Sequence, residues 1–247
     1  MDFGPRQIQT LTTESTEFHR ADTEKEASRT RTYSAIFIYL AMISGTLPRL
    51  YTILDLACFS TPEQLFDAAV ELTNSGVTLL QYRSKFDDPR AMLEHARELK
   101  NRIGSRARLI MNDRADLCLA ADFDGVHVGQ DDLSPEGARK IVGPERWLGV
   151  STHNPGQAAE ADRTSADYIA IGPVFTTSSK ANPNPVIGLA GVRRSRELTR
   201  KPLVAIGGIT VKNCRSVLDA GADSVAVISA LVHQPAKSAE EFLRVLG

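Results

Sequence analysis

Three stretches of this chain gather side chains that could grip a small anionic substrate. In QYRSK, Gln81, Arg83 and Lys85 recur at every second residue, so on a strand they project to one side. Two cations and an amide donor aimed together are costly to desolvate unless an anion or a carboxylate meets them. A bound phosphate would meet them, and so would a salt-bridge layer inside the fold. The second stretch is Asn112, Asp113 and Arg114, and the third is Gly129, Gln130, Asp131 and Asp132. Taken singly, an Asp after a strand is a turn former or a helix cap. Paired opposite Arg83 and Lys85, such acids suit Mg²⁺, which takes one or two carboxylates and leaves its other positions to water and substrate phosphate. His127 alternates with Val126 and Val128 and reads as a hydrogen-bonded interior histidine rather than a base.

Further along, Ser151 lies in GVSTHN, and GPVFTTSSK carries Thr176, Thr177, Ser178, Ser179 and Lys180. A loop of small hydroxyl donors ending in a cation can hold a phosphate or a heteroaromatic ring, or can simply be solvated. The following ANPNPVIG favours turns over regular structure. Gly207 and Gly208 close one apolar run, and Ile228 and Ser229 close the last. Glycine lets an anion approach backbone amides closely, although a Gly-Gly pair alone would signify only a tight turn. No Ser-His-Asp or Cys-His constellation stands out.

These residues need a frame that brings strand ends together. From Leu50 onward, short β-branched runs alternate with amphipathic stretches, the pattern of βα units in a parallel sheet. The strands are expected at LYTILD, VTLLQYR, ARLIMN, GVHVG, WLGVST, DYIAIG, PLVAIGG and SVAVIS. Between them lie helices such as TPEQLFDAAVELTNSG, with Thr61 as N-cap, Pro62 in the first turn and Gly76 at the end. Another is ITVKNCRSVLDAGA, with Val211, Cys214, Val217 and Leu218 at helical spacing. Eight units of about 25 residues predict one (β/α)₈ barrel over residues 49–247, with a doubly wound open sheet as the alternative. In a barrel, a phosphate site is expected after strands seven and eight.

Residues 1–48 are expected to form an N-terminal extension, polar and without a trustworthy period over its first 32 or so residues, in the manner of a disordered segment. Its apolar run Tyr33–Ile43 is shorter than the roughly 20 residues that span a bilayer. It also lacks the layout of a signal peptide. The extension reads as irrelevant to the fold, with Met42 an alternative start; an added helix or a targeting role are the other readings.

The 247 residues are 42% hydrophobic and carry 29 Lys and Arg against 30 Asp and Glu. That near-balance gives no global field to recruit nucleic acid or an anionic membrane, so any anion site must be local. Cys58, Cys118 and Cys214 are widely spaced and read as reduced core thiols of a cytoplasmic protein. The sequence leaves a homo-oligomer open.

Taken in order, QYRSK, MNDRADL, GVHVGQDDLSPEGAR, GVSTHN, the IGPVF loop ending in Lys180, AIGGI and GADSVAVISAL resemble the thiamine-phosphate synthase family over essentially all of residues 50–247. The resemblance implies an Mg²⁺-dependent transferase that joins a hydroxymethylpyrimidine diphosphate to a thiazole phosphate by a dissociative, carbocation-like transfer, releasing diphosphate. Carried over by motif, Gln81, Tyr82, Arg83, Ser84, Lys85, Asn112, Ser151 and Lys180 would bind the pyrimidine diphosphate. Asp113 and Asp132 would hold the metal, and Asp131 would not. Thr177, Ser178 and Ser179 would meet the thiazole phosphate, whose phosphate would rest on Gly208, Ile228 and Ser229. Arg83, Lys85, Ser151 and Lys180 would take the catalytic roles. One departure stands out: the family's loop usually carries a proline where this chain has only Thr and Ser before Lys180. Two rivals remain, a thiazole tautomerase of the same barrel type, which would need no diphosphate-bound metal, and a non-catalytic phosphate-binding barrel. A sugar-phosphate epimerase would want an acid and a base facing each other inside the barrel, and no clear pair is seen.

Overall fold

The computed structural model describes residues 47–85, 88–177 and 184–247. The readings of the N-terminal extension up to residue 46, and of Ser178, Ser179 and Lys180, lie outside the described residues.

Eight parallel strands close into a barrel in chain order: β1 (Leu50–Asp55), β2 (Leu79–Arg83), β3 (Arg108–Asn112), β4 (Gly125–Val128), β5 (Trp147–Thr152), β6 (Tyr168–Ile171), β7 (Leu203–Ile206) and β8 (Ser224–Val227). Closure is explicit in the pairing of β1 with β8, where Leu50, Tyr51 and Thr52 stand beside Val225, Ala226 and Val227. The open-sheet alternative is thereby set aside. Each strand lies within its expected run, shortened by at most two residues at an end.

The connecting helices are α1 (Pro62–Asn74), α2 (Pro89–Ile103), α3 (Ala115–Ala120), α4 (Pro135–Val142), α5 (Pro155–Ala161), α6 (Gly188–Leu198), α7 (Cys214–Asp219) and α8 (Pro235–Leu246). Four of them start by one device: a polar cap followed by proline. Thr61, Asp88, Ser134 and Asn154 each accept a backbone N–H from the first turn, and Pro62, Pro89, Pro135 and Pro155 follow. The side chain satisfies an orphan donor, and proline brings its helical φ where its missing N–H costs nothing. As expected, Gly76 lies past the end of α1, at φ +97°.

One helix is shorter than expected. Val211 does not belong to α7, because Asn213 accepts the Thr210 N–H at 2.8 Å and donates to the Gly208 carbonyl at 3.0 Å. That side chain holds a turn ahead of the helix, and Val211 still packs against the core.

Period-two alternation divides the apolar residues into two layers. Tyr51, Ile53, Leu79, Ile110, Tyr168, Ala170, Val204 and Ala226 fill the barrel interior. The opposite strand faces, with residues such as Leu80, Tyr82, Leu109, Val126 and Ile169, pack against the helices. Among the described residues, no helix is long and apolar enough to cross a membrane.

Candidate active site

The interior phase that buries Leu79 and Ile110 also carries polar residues up to the C-terminal ends of the strands. There Gln81, Arg83, Asn112, Ser151, Thr177, Gly208, Ile228 and Ser229 line one cavity of about 140 Å³. The structure thus brings together residues from five strand ends and from the loop after β6.

Arg83 is not a free cation. Its guanidinium donates to Asp55, the last residue of β1, and their side chains are 18% and 5% exposed. Lys85 donates to Asp113. Both cations therefore have an acidic partner; Arg83 still faces the cavity, whereas Lys85 and its pair stay at the exposed rim.

Tyr82 and Ser84 do not line this cavity. The Tyr82 side chain is fully buried between barrel and helices, with its hydroxyl 2.9 Å from His95 Nδ1. Alternation along β2 requires this once Gln81 and Arg83 face inward. Ser84 is buried just past the strand.

At the end of β3, the Asp113 N–H donates to the His127 carbonyl at 2.8 Å and the Arg114 N–H to the Asn112 carbonyl at 2.7 Å. These bonds hold Asp113 at φ +62°, a left-handed conformation that Asp adopts more readily than most residues. Its carboxyl meets that of Asp132. Asp132 accepts the Gly129 N–H at 2.7 Å, so it closes its own loop while facing its neighbour. Partial burial and the contact with Asp113 raise the Asp132 pKa above the ordinary carboxylate value, although Lys85 works against the rise. Asp131 is exposed.

Two like charges in contact call for a shared proton or a cation. Hard oxygen donors from two adjacent strand ends fit Mg²⁺, which needs no complete protein cage when a substrate supplies phosphate oxygens. Consistently, no group of three His, Cys, Asp or Glu side chains forms such a cage among the described residues. A further sign of an expected ligand is Asn112. Its buried side-chain Nδ2 has no hydrogen-bond partner among the described residues, a state that is costly unless something else accepts from it.

On the far side of the cavity, Gly207 and Gly208 take φ of +102° and +64°. A Cβ on Gly208 would stand 2.5 Å from the Thr176 carbonyl oxygen, so only glycine fits this approach of the two loops. Ile228 caps a 3₁₀ turn, Ser229–Leu231, and Ile228 and Ser229 line the cavity. Free amides at such a turn favour an anion.

Below the mouth, His127 meets the Tyr168 hydroxyl through Nδ1 at 3.1 Å and the Ser151 hydroxyl through Nε2 at 2.9 Å. It is thus bonded on both ring nitrogens, and burial of the two tyrosines pushes the Tyr51 and Tyr168 hydroxyls well above their ordinary pKa. Sequence reasoning missed Tyr51, Asp55, Tyr168, His153 and Asn184, although all but Asp55 and Tyr168 line the cavity. Asp55 had a readable signal, the strand-end Asp that singled out Asp113. Tyr51 and Tyr168 looked like ordinary strand residues.

Comparison with known proteins agrees with this geometry. A family model described as thiamine monophosphate synthase matches residues 50–231. The chain is 59% identical to the thiamine-phosphate synthase of Koribacter versatilis over 209 residues, 83% of this chain and 99% of the relative. It is 44% identical to that of Chloroflexus aurantiacus, covering 74% and 85%. Among solved structures, the thiamine phosphate pyrophosphorylase of Pyrococcus furiosus superposes with a TM-score of 0.70 at 35% identity, covering 80% and 95%. With its barrel closed, its strand-end motifs gathered around one cavity and relatives matched over nearly their full length, the chain belongs to the thiamine-phosphate synthase family.

Proposed function

We propose that the chain condenses 4-amino-5-hydroxymethyl-2-methylpyrimidine diphosphate with 4-methyl-5-(2-phosphooxyethyl)thiazole, giving thiamine phosphate and diphosphate. The observation that supports this reading is one cavity lined by two sets of groups suited to anions. Arg83 and the Asn112 amide, unpartnered among the described residues, contribute from β2 and β3, and Gly208 and Ser229 contribute from beyond β7 and β8. A tautomerase acting on a single thiazole phosphate would have no use for the first set or for the acid pair beside it.

In this reading Arg83, Lys85 and Asn112 bind the diphosphate, with Lys180 completing the pocket. Gln81 and Ser151 hold the pyrimidine ring, while Thr177, Ser178 and Ser179 meet the thiazole phosphate, whose phosphate rests on Gly208, Ile228 and Ser229. Asp113 and Asp132 are the residues that would hold Mg²⁺, which when bound supplies charge neutralisation to the departing diphosphate. Departure would leave a pyrimidine-stabilised cation, and the thiazole nitrogen would capture it. Such a transfer needs positioning and preorganised charge rather than a protein nucleophile or base. Asp55 holds Arg83 in place for that purpose, and the barrel wall keeps bulk water from the cation.

The test is to incubate the purified chain with both substrates, with Mg²⁺ and then with a chelator. Thiamine phosphate and diphosphate should appear together and cease with chelation. An isomerised thiazole phosphate without diphosphate, or binding without product, would overturn the proposal.

A further inference from the structure

Five side chains from five strands form an unbroken hydrogen-bonded chain beneath the mouth. Gln81 Nε2 donates to the Tyr51 hydroxyl at 2.8 Å, and Tyr51 meets the Tyr168 hydroxyl at 3.0 Å. Tyr168 meets His127 Nδ1 at 3.1 Å, and His127 Nε2 meets the Ser151 hydroxyl at 2.9 Å. Only the two ends, Gln81 and Ser151, carry a role in the reaction proposed above. The three middle members are each less than a tenth exposed.

The space for this chain is made deliberately. A Cβ on Gly149 would stand 2.1 Å from the Tyr168 ring and 2.4 Å from His127 Nδ1, so a glycine on β5 is what allows the two to meet. The Tyr168 ring is further fixed by edge contacts with Tyr51 and Trp147 at centroid distances of 6.0 and 6.5 Å.

Each phenol has one proton to give, and a neutral imidazole has one N–H. With Gln81 donating to Tyr51, the order follows. Tyr51 donates to Tyr168, Tyr168 donates to Nδ1, and the N–H at Nε2 donates to Ser151. The Ser151 hydroxyl proton is then released toward the cavity, and the Gln81 amide keeps its oxygen as acceptor. If the amide turned over, every link would reverse. Gln81 would offer N–H and Ser151 would offer lone pairs. The two ends therefore switch together or not at all, because a half-reversed chain would leave a buried donor or acceptor unmet.

We infer that Tyr51, Tyr168 and His127 act as a positioning relay that sets, jointly and over the width of the barrel, the donor and acceptor faces that Gln81 and Ser151 present to the pyrimidine ring. This inference rests on the reaction proposed above. An aminopyrimidine offers both an N–H donor and ring-nitrogen acceptors, so a site with one fixed polarity selects its orientation.

The test uses Tyr168→Phe, which keeps the ring and its packing and deletes the central hydroxyl, with Tyr51→Phe as a second break of the same relay. In either variant the KM for the pyrimidine diphosphate should rise about tenfold, roughly the worth of one good hydrogen bond, while the KM for thiazole phosphate stays within about twofold. The fold losses of Gln81→Ala and Ser151→Ala in kcat/KM should be non-multiplicative in the wild-type background and multiplicative in Tyr168→Phe. Unchanged KM values, or both KM values rising together with a falling Tm, would overturn the relay. So would equal coupling in the two backgrounds. A wild-type chain that forms no thiamine phosphate would sink the proposed reaction and the relay together. A productive wild type with an indifferent Tyr168→Phe would sink the relay alone.

Discussion

At the foot of the barrel, Asp124, Asp167 and Asp223 each precede an even-numbered strand. Each side chain accepts the backbone N–H of the residue it faces on the preceding strand, Leu109, Leu148 or Leu203, at 2.7, 2.7 and 2.8 Å. The backbone N–H of each same Asp donates to that leucine's carbonyl in return, at 2.8, 2.7 and 2.8 Å. Arg139 and Arg196 then pair with Asp167 and Asp223 at 2.6 and 2.8 Å. At the mouth, by contrast, Asp113 and Asp132 lean on each other with one lysine between two acids, and a buried Asn112 donor has no partner among the described residues. The same residue type is saturated at one end and left short at the other. Carboxylates with their partners built in tie neighbouring strands together, and carboxylates left short lie where the ligand site is proposed.

The largest way to break this comparison is at the mouth. Asp113→Asn or Arg83→Ala should lower turnover by about two to three orders of magnitude, as removal of a preorganised electrostatic group commonly does. Asp113→Asn should leave Tm close to the wild-type value. Steady-state rates with both substrates, beside a thermal melt, check this, and wild-type turnover in both variants would contradict it. The foot should behave in reverse. Asp223→Ala strands the Leu203 N–H and removes one of the three acceptors of Arg196, and should cost about 1–3 kcal/mol of stability with little change in turnover below its melting range. Denaturant titration reads the first and the same assay the second.

A smaller effect separates the two ends by pH. Asp162, the C-cap of α5, has its pKa lowered chiefly by the hydrogen bond from Thr199 and further by the Arg200 and Lys201 amides. A depressed folded pKa means stability that is present above the unfolded carboxylate pKa and lost as pH falls through the folded one. Asp132 has the opposite sign: its raised pKa means stability greatest below the unfolded value and lost as pH rises through the folded one. Asp162→Asn should therefore flatten the acid limb of Tm against pH, and Asp132→Asn should raise Tm only toward neutral pH. Melts across the carboxylate range distinguish the two.

Much of the barrel was legible because its signals are local. Runs such as ARLIMN and SVAVIS are apolar, β-branched and short, and a polar cap before proline announces α1. The length of α7 was not, since Asn213 could equally have been a helical residue until its two turn bonds were seen. At the site, period two placed Gln81 and Arg83 correctly. The same alternation turns the Tyr82 side chain toward the helices. The partners of these residues are what the sequence hid. Asp55 lies 28 positions from Arg83 and Tyr51 lies 117 from Tyr168, and only closure of the sheet brings either pair together.

The contrast between the ends is tested most directly by calorimetric titration of Mg²⁺, with inorganic diphosphate present, into the wild type, Asp113→Asn and Asp167→Asn at neutral pH. Binding should be seen in the wild type, be kept in Asp167→Asn and be lost or weakened at least about tenfold in Asp113→Asn, as loss of one of two carboxylate ligands implies. Equal binding in all three, or none in the wild type, would contradict a mouth left short of charge for a divalent ion.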